Sequence, residues 1–297
     1  MVHSYYSLQI IIYFIITYIS SATILYNDGQ THIQSTSLNE AISIRSSSTL
    51  TLPSGDYTIR SPSGGDSAIR LYMSSHLNAT GGDIIGGDAT ADHITAGAGV
   101  IVGSSSSAIF YDGVTVRGGN NNVGNADYYI INKEEIMTTR EHVDINNFDD
   151  TKGAGQGGDA LISQYFGSNV TIYGGTFIAG SGSVKDGNSL QSRYEAQIHI
   201  HGGTYYGSWL AKDRGSIVVT GCVNRIGNRL VGRLQNGQSL DVQLVEEGDG
   251  KVVLNNPEKC NQYRKKDTSP ATTMGWIGSV YYAYALFGLM ICLSCLV

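Results

Sequence analysis

Two adjacent acids, Asp149 and Asp150, are the residues of this sequence whose type and spacing best fit catalysis. Paired carboxylates perform the acid and base steps of glycosidic bond cleavage. They lie in the most densely charged stretch of the chain, near Arg140 and His142. Adjacent acids in a polar loop are more often simply solvated, so the sequence favours a role other than catalysis.

Asp159 is the one residue that suggests a metal. It ends the run Gly155-Gln156-Gly157-Gly158-Asp159, which is close to the nonapeptide repeat that binds Ca²⁺. Such a site is completed by a neighbouring copy of the repeat. No second copy follows nine residues later, so a glycine-rich turn explains the run better. We therefore expect neither a metal nor a cofactor.

A repeated strand motif supplies a third kind of site. From Val170 to Phe177 apolar and polar residues alternate, two glycines follow, and the pattern returns 28 residues later from Ile198 to Tyr205. Alternation predicts strands with one buried face. A fixed period predicts stacked repeats, with Val170 and Ile172 beside Ile198 and Ile200 in one interior column.

The residues that vary between copies point to the opposite face, because side chains alternate along a strand. Aligning Val114–Arg117 with the same motif predicts one outer face that carries Arg117, Tyr173, His199 and His201. Aromatic and basic groups on a flat face suit contact with a sugar or a protein. A plain solvent face is the alternative.

Three other features begin or interrupt the repeats. Ser37-Leu38-Asn39-Glu40 has the capping-box pattern and predicts a short helix that covers the first repeat. Thr49–Leu52 and Tyr57–Arg60 flank a Pro-Ser-Gly-Asp turn and predict two strands. Residues 120–156 depart from the repeat and predict a long loop excursion.

The run Thr49 to Tyr57 (TLTLPSGDY), the glycine-pair strands and the segment Arg229 to Val242 resemble right-handed parallel β-helix proteins of the pectate-lyase-like superfamily. Within it, the chain is similar to glycine-rich microbial surface proteins. The resemblance covers residues 49–254 and implies an all-β solenoid, with the predicted helix as its N-terminal cap. A β-sandwich is the alternative, but it does not explain the 28-residue period.

The superfamily also contains polysaccharide lyases and glycoside hydrolases. Its hydrolase branch implies Asn-x-Asp, a paired Asp, Gly-His-Gly and Arg-x-Lys on successive repeats. Only Asp149-Asp150 matches this set. The fold alone does not decide the activity, so an enzyme of this class remains the alternative function.

The N-terminus indicates export. Leu8–Ile19 is an apolar run followed by Ser20-Ser21-Ala22, which predicts a signal peptide over residues 1–22. A retained N-terminal anchor is the alternative. Cys222 and Cys260 are then in an oxidising compartment and predict a disulfide. Asn78 and Asn169 begin N-glycosylation sequons.

The C-terminus indicates a membrane anchor. Residues 257–275 form a polar spacer, and residues 276–297 carry no charge. Small residues from Asp267 onward, a spacer and an apolar tail fit a lipid-anchor signal with Asp267 as the attachment residue. A transmembrane helix is the alternative. Residues 23–256 are left as the ectodomain.

The formal net charge of −6 argues against nucleic acid as a partner. The sequence therefore predicts a glycoprotein anchored to the outer face of the plasma membrane. Its expected role is binding or structural, by adhesion or by contact with cell-wall polysaccharide or a surface protein.

Overall fold

The computed structural model describes residues 23–62, 65–90, 95–122 and 155–256, together with Cys260. The four ranges form an all-β fold, and most of its strand pairs are parallel. Within the described residues, no helix has the length and apolar character to cross a membrane. The chain divides into two compact units, residues 1–256 and residues 257–297, and all the described strands belong to the first.

The strands are numbered in chain order and form three parallel sets, called sheets I, II and III. Sheet I contains β1 (Thr23–Tyr26), β3 (Ala41–Ile44), β6 (Ile69–Leu71), β9 (Val100–Gly103), β12 (Leu161–Gln164), β15 (Asn188–Arg193), β18 (Ser208–Lys212) and β21 (Ser239–Glu247). Sheet II contains β2 (Thr31–Ile33), β4 (Thr49–Leu52), β7 (His76–Ala79), β10 (Ser107–Phe110), β13 (Asn169–Ile172), β16 (Gln197–Ile200), β19 (Ser216–Ile226) and β22 (Lys251–Asn255). Sheet III contains β5 (Thr58–Arg60), β8 (Gly82–Ile85), β11 (Val114–Arg117), β14 (Thr176–Ile178) and β17 (Thr204–Tyr206).

The chain passes through the three sheets in turn, and each circuit places its strands beside those of the previous circuit. Val170 pairs with Ile198, and Ile172 pairs with Ile200. All four side chains are fully buried in one hydrophobic core. The predicted interior column is therefore confirmed, and so are the two strands predicted on either side of the Pro53 turn.

The alignment of Val114–Arg117 with Val170–Tyr173 is wrong. Ser107–Phe110 occupies the equivalent place and pairs with Asn169–Ile172, whereas Val114–Arg117 belongs to sheet III. The turn equivalent to Gly174-Gly175 is Asp112-Gly113, since a Cβ on Gly174 would overlap Asp112. An Asp in place of the first glycine concealed the true repeat.

The predicted N-terminal capping helix is also wrong. Ala41–Ile44 is strand β3, all four of its residues are buried, and it lies between β1 and β6. Ser37 does not cap a helix, because its hydroxyl accepts a hydrogen bond from the amide of Thr58 at 3.0 Å. Pairing on both sides of β3 overrides the local capping pattern.

At this end of the core, Tyr26 and His32 take the place expected for a cap. Tyr26 pairs with Ile44, and His32 pairs with Leu50, so both side chains lie on the core side of their sheets. Their rings are stacked at a centroid distance of 4.0 Å. His32 also contacts the Asp28 carboxylate at 2.8 Å. An aromatic pair with a polar edge thus closes the N-terminal circuit.

A glycine seam joins the exit of sheet III to the entry of sheet I. Backbone amides along it donate in sequence to carbonyls of adjacent segments, from Gly87 to Asp66, Gly97 to Gly87, Gly119 to Gly97, Gly158 to Gly119, Gly180 to Gly158 and Gly187 to Gly180. A Cβ on Gly119, Gly158 or Gly180 would overlap a carbonyl oxygen of this seam. The approach of the backbones explains why these positions are glycine.

The C-terminal end of the core is covered by antiparallel strands. β20 (Arg229–Leu234) pairs with β19 and β21 and joins sheets I and II into one hydrogen-bonded set. Glu246 pairs with the buried Ala211, so its side chain lies on the core side of sheet I. Its carboxylate accepts a hydrogen bond from Arg225 at 2.7 Å and another from the amide of Val252 at 2.8 Å. A paired charge therefore ends this part of the core.

Candidate functional site

The catalytic candidates Asp149 and Asp150 lie outside the described residues, as does the lipid-attachment candidate Asp267. The base of the excursion that carries the two acids is described. The side-chain amide of Asn121 donates to the carbonyl of Gln156 at 3.1 Å. The two ends of the excursion therefore lie side by side on the body.

Asp159, the metal candidate, is buried where the chain enters sheet I. Its Oδ1 atom accepts hydrogen bonds from the backbone amide of Asn188 at 2.6 Å and from the side-chain Nδ2 at 3.0 Å. Asn188 in turn accepts a hydrogen bond from the Ser208 hydroxyl at 2.8 Å. Among the described residues no group of three or more His, Cys, Asp or Glu side chains is arranged to hold a metal ion. The carboxylate here links successive circuits.

The outer face of sheet II carries a ladder of stacked rings formed by Tyr111, Tyr173 and His201. Their centroids are 5.5 Å and 5.1 Å apart, and both interplanar angles are 21°. His201 Nδ1 lies 2.7 Å from the side-chain oxygen of Gln235. Because the rings cover each other's faces, they present edges to solvent. Such cross-strand stacking stabilises a sheet and leaves little ring face for a ligand.

Of the predicted ligand-face residues, Tyr173, His199 and His201 share the outer face of sheet II. Burial, followed by the nearby charge of His201, lowers the pKa of His199 below its ordinary value. Its ring is therefore neutral near pH 7. Arg117 lies instead on sheet III, between Ile85 and Ile178. The four residues do not form one surface.

The structure also describes the residues whose glycosylation or oxidation would depend on export. Asn78 and Asn169 are exposed on the outer face of sheet II, in β7 and β13. These strands flank β10, so the two side chains are two circuits apart. Cys222 and Cys260 are both disulfide-bonded.

The corners between sheets I and II share one backbone geometry. In the described part of the chain, two non-glycine residues with positive φ form five of these corners, namely Ser46-Ser47, Met73-Ser74, Ser104-Ser105, Tyr194-Glu195 and Asp213-Arg214. Backbone hydrogen bonds link neighbouring corners, from Ser47 to Met73 and from Ser74 to Ser104. The repeated turn keeps corner residues of successive circuits in register.

The corner between β12 and β13 departs from this geometry by one residue. Tyr165 and Gly167 have φ of 72° and 78°, and Phe166 is inserted between them. Phe166 is 76% exposed, the highest value among the described large apolar side chains. A large apolar side chain held in water at a tight turn has no packing role.

Neighbouring groups extend this exposed corner. Tyr165 and Tyr194 stack at 5.5 Å with an interplanar angle of 12°. The Arg193 guanidinium lies 5.4 Å from the Tyr194 ring centre, and its Nε atom donates to the side-chain oxygen of Gln164 at 3.1 Å. Tyr165, Phe166 and Tyr194 therefore form an exposed aromatic ridge, and Arg193 lies beside it.

Sequence reasoning missed this ridge. The available signal was Gln164-Tyr165-Phe166-Gly167, which places two adjacent aromatics at a turn between predicted strands. The repeat analysis concentrated on positions that recur, and Phe166 is an insertion relative to the other corners. No protein-family model, no curated protein and no solved structure matches the chain.

Proposed function

We propose that residues 23–256 fold as a right-handed parallel β-helix of the pectate-lyase-like type and that the protein binds carbohydrate at the cell surface. Support for the β-helix comes from the strand register. Sheets I, II and III are visited in a fixed order, and each strand lies parallel to its equivalent one circuit away. Such solenoids provide long, regular outer faces on which ligands bind.

The observation that carries the binding role is the exposed aromatic corner of Tyr165, Phe166 and Tyr194. Exposed apolar side chains that cluster together mark interaction sites more often than isolated ones do. The corners on the preceding circuits are rich in serine hydroxyls. Aromatic faces beside hydroxyl groups suit a sugar, whose ring has apolar C–H faces and a rim of hydroxyls.

The proposed address is the outer face of the plasma membrane. The signal peptide over residues 1–22, the two sequons and the apolar segment over residues 276–297 support it. Treatment of cells that express the full chain with a phosphatidylinositol-specific phospholipase should release the protein into the medium. Retention on the cells after treatment would favour a transmembrane helix instead.

Binding can be measured on the full chain displayed by secretory host cells. Fluorescent neutral glycan polymers, such as glucans, mannans and galactans, are added, and binding is read by flow cytometry with an epitope tag to normalise surface levels. Cells displaying the protein should retain at least one glycan above the level of cells displaying an unrelated surface protein. If none is retained, the carbohydrate-binding function is wrong.

A further inference from the structure

A slot lies beside the aromatic corner, on the circuit that precedes it. Strand register places Met73, Ser104 and Tyr165 at the same corner position on three successive circuits, because Leu71 pairs with Val102 and Gly103 pairs with Gln164. The middle residue is small, and its two neighbours are large and exposed. A gap one circuit wide therefore separates Met73 from Tyr165.

One wall of the slot is an open aromatic face. Tyr165 stacks on Tyr194 with its ring nearly parallel, so Tyr194 covers one face. The other face is directed at the preceding circuit, where Ser104 and Ser105 are exposed. Phe166 projects beside this wall. In the Tyr111–Tyr173–His201 ladder, by contrast, the central ring of Tyr173 is covered on both faces.

The floor and back of the slot are polar and aromatic. Gly103 leaves room for the ring of Tyr72, because a Cβ at Gly103 would lie 3.1 Å from a Tyr72 ring carbon. Burial raises the pKa of Tyr72, and the nearby Tyr165 phenol contributes to this rise. Tyr72 precedes Met73 in the chain, and its ring lies against Gly103, the residue before Ser104. Ser104 and Ser105, which are both exposed, lie at the base of the slot.

The width of the slot selects a flat ligand. Adjacent strands are about 4.8 Å apart, so the backbones of Met73 and Tyr165 are separated by roughly 9.6 Å. Contacts of about 3.7 Å on each side leave roughly 2 Å for the thickness of the ligand. This space accepts one six-membered ring lying parallel to the Tyr165 ring.

We infer that the slot between Met73 and Tyr165 binds a single pyranose residue of a neutral surface glycan. The sugar stacks one apolar face on Tyr165 and the other on Met73, while Ser104, Ser105 and the Tyr72 hydroxyl meet its hydroxyl groups. This inference rests on the proposed carbohydrate-binding function and names the subsite that performs it.

The test uses the displayed full chain and the glycan polymer with the highest signal. Tyr165→Asn removes the aromatic wall, and Asn tolerates positive φ better than Tyr. We expect apparent affinity to fall about tenfold, as loss of a stacking contact predicts, while the unfolding midpoint of the secreted chain stays the same or rises. Tyr165→Phe keeps the ring and should retain most of the affinity.

Ser104→Asn is the second variant, because it narrows the slot at another αL-tolerant position, and it should weaken binding by a similar factor. Tyr206→Asn is the matched control, since Tyr206 is 59% exposed on sheet III and lies outside the slot. Affinity that is unchanged in both Tyr165→Asn and Ser104→Asn would overturn the slot and leave the carbohydrate-binding function intact. Absence of glycan binding by the unaltered protein would overturn both.

Discussion

The amide of Gly158 donates a hydrogen bond of 2.8 Å to the carbonyl of Gly119, although the whole excursion separates them in sequence. The same carbonyl-to-amide chain continues to Gly97 on one side and Gly180 on the other. The body is therefore continuous across the point where residues 123–154 leave it. The described residues on the two sides of residues 123–154 are thus joined to each other directly.

Replacing residues 123–154 by two glycines should leave the strand body folded. Loop-closure entropy changes slowly with loop length, by about 0.6 kcal/mol per twofold change, and the anchoring bonds at Asn121 and Gly158 remain. We expect an unchanged far-UV circular dichroism spectrum and an unfolding midpoint within a few degrees. Failure of the secreted variant to fold would mean that the body depends on the excursion.

The same variant separates binding from catalysis. It lacks Asp149 and Asp150, so any polysaccharide cleavage that depends on this pair should disappear, while glycan binding at the corner should persist. Cleavage of pectin or another polysaccharide by the unaltered protein, lost in the variant, would favour the enzyme alternative. The measurement is the release of reducing ends.

Substitution within the glycine seam should be severe. In Gly158→Ala the new Cβ would overlap the carbonyl oxygen of Gly97 and crowd the amide of Gly119. Both are backbone groups with little freedom to move, so we expect a loss at or above the upper end of the 1–3 kcal/mol that overpacking typically costs. Thermal unfolding and secretion yield report this loss.

Gly227→Ala is the control for the seam. Unlike Gly158, Gly227 has a positive φ, 59°, and a Cβ added to it would have no other atom within 4 Å. Conformational strain alone costs about 1–2 kcal/mol there. Equal losses in Gly158→Ala and Gly227→Ala would contradict the importance of close backbone approach in the seam.

Stability should fall in acid through Glu246. The hydrogen bond from Arg225 lowers the pKa of Glu246 below its ordinary value of 4.5, against the opposing effect of burial. A depressed folded-state pKa stabilises the protein above about pH 4.5, and this contribution is lost as pH falls through the folded pKa. Because Arg225 is 46% exposed, the effect should stay below about 1 kcal/mol.

Glu246→Gln tests this origin, since the amide oxygen can still accept from Val252 but carries no charge. Unfolding midpoints are compared between pH 6 and pH 3. The variant should start lower, by at most about 2–4 °C, and lose less on acidification than the unaltered protein. An identical pH profile in both would assign the acid sensitivity to other carboxylates.

Both sequons should carry glycans on export. Asn78 and Asn169 are exposed and lie on the outer face of sheet II, and Asn169 begins β13 directly after the corner that contains Tyr165 and Phe166. Digestion with an amidase that removes N-glycans should reduce the mass in two steps, and Asn78→Gln and Asn169→Gln should each remove one step. A single step in the unaltered protein would show that one site is unused.

Sequence reasoning succeeded where a pattern was both local and repeated. Val170 and Ile172 alternate with polar residues, and their partners Ile198 and Ile200 follow 28 residues later. The repeat period and the alternation along the strand are enough to predict the interior column. Arg117 was misplaced because Asp112 stands where the other copies have glycine. When successive circuits differ in length, the pairing of their strands depends on tertiary contacts and cannot be read from a fixed spacing.

Other features had no local signature. Ala41–Ile44 follows a capping box, yet its pairing on both sides determines a strand. The glycine seam connects residues far apart in sequence, so the run from Gly155 to Asp159 indicates by itself only a glycine-rich turn. Phe166 became informative only when the lengths of equivalent corners could be compared in the structure.

The charged end of the core affects whether another chain can add a strand there. A stack of parallel strands has no intrinsic length, because its last strand offers unpaired backbone groups to another chain. Here the inward row ends in Glu246 bound to Arg225, and an incoming strand would have to remove water from that ion pair. The pair therefore opposes the addition of a strand from another chain at this end of the stacked parallel strands.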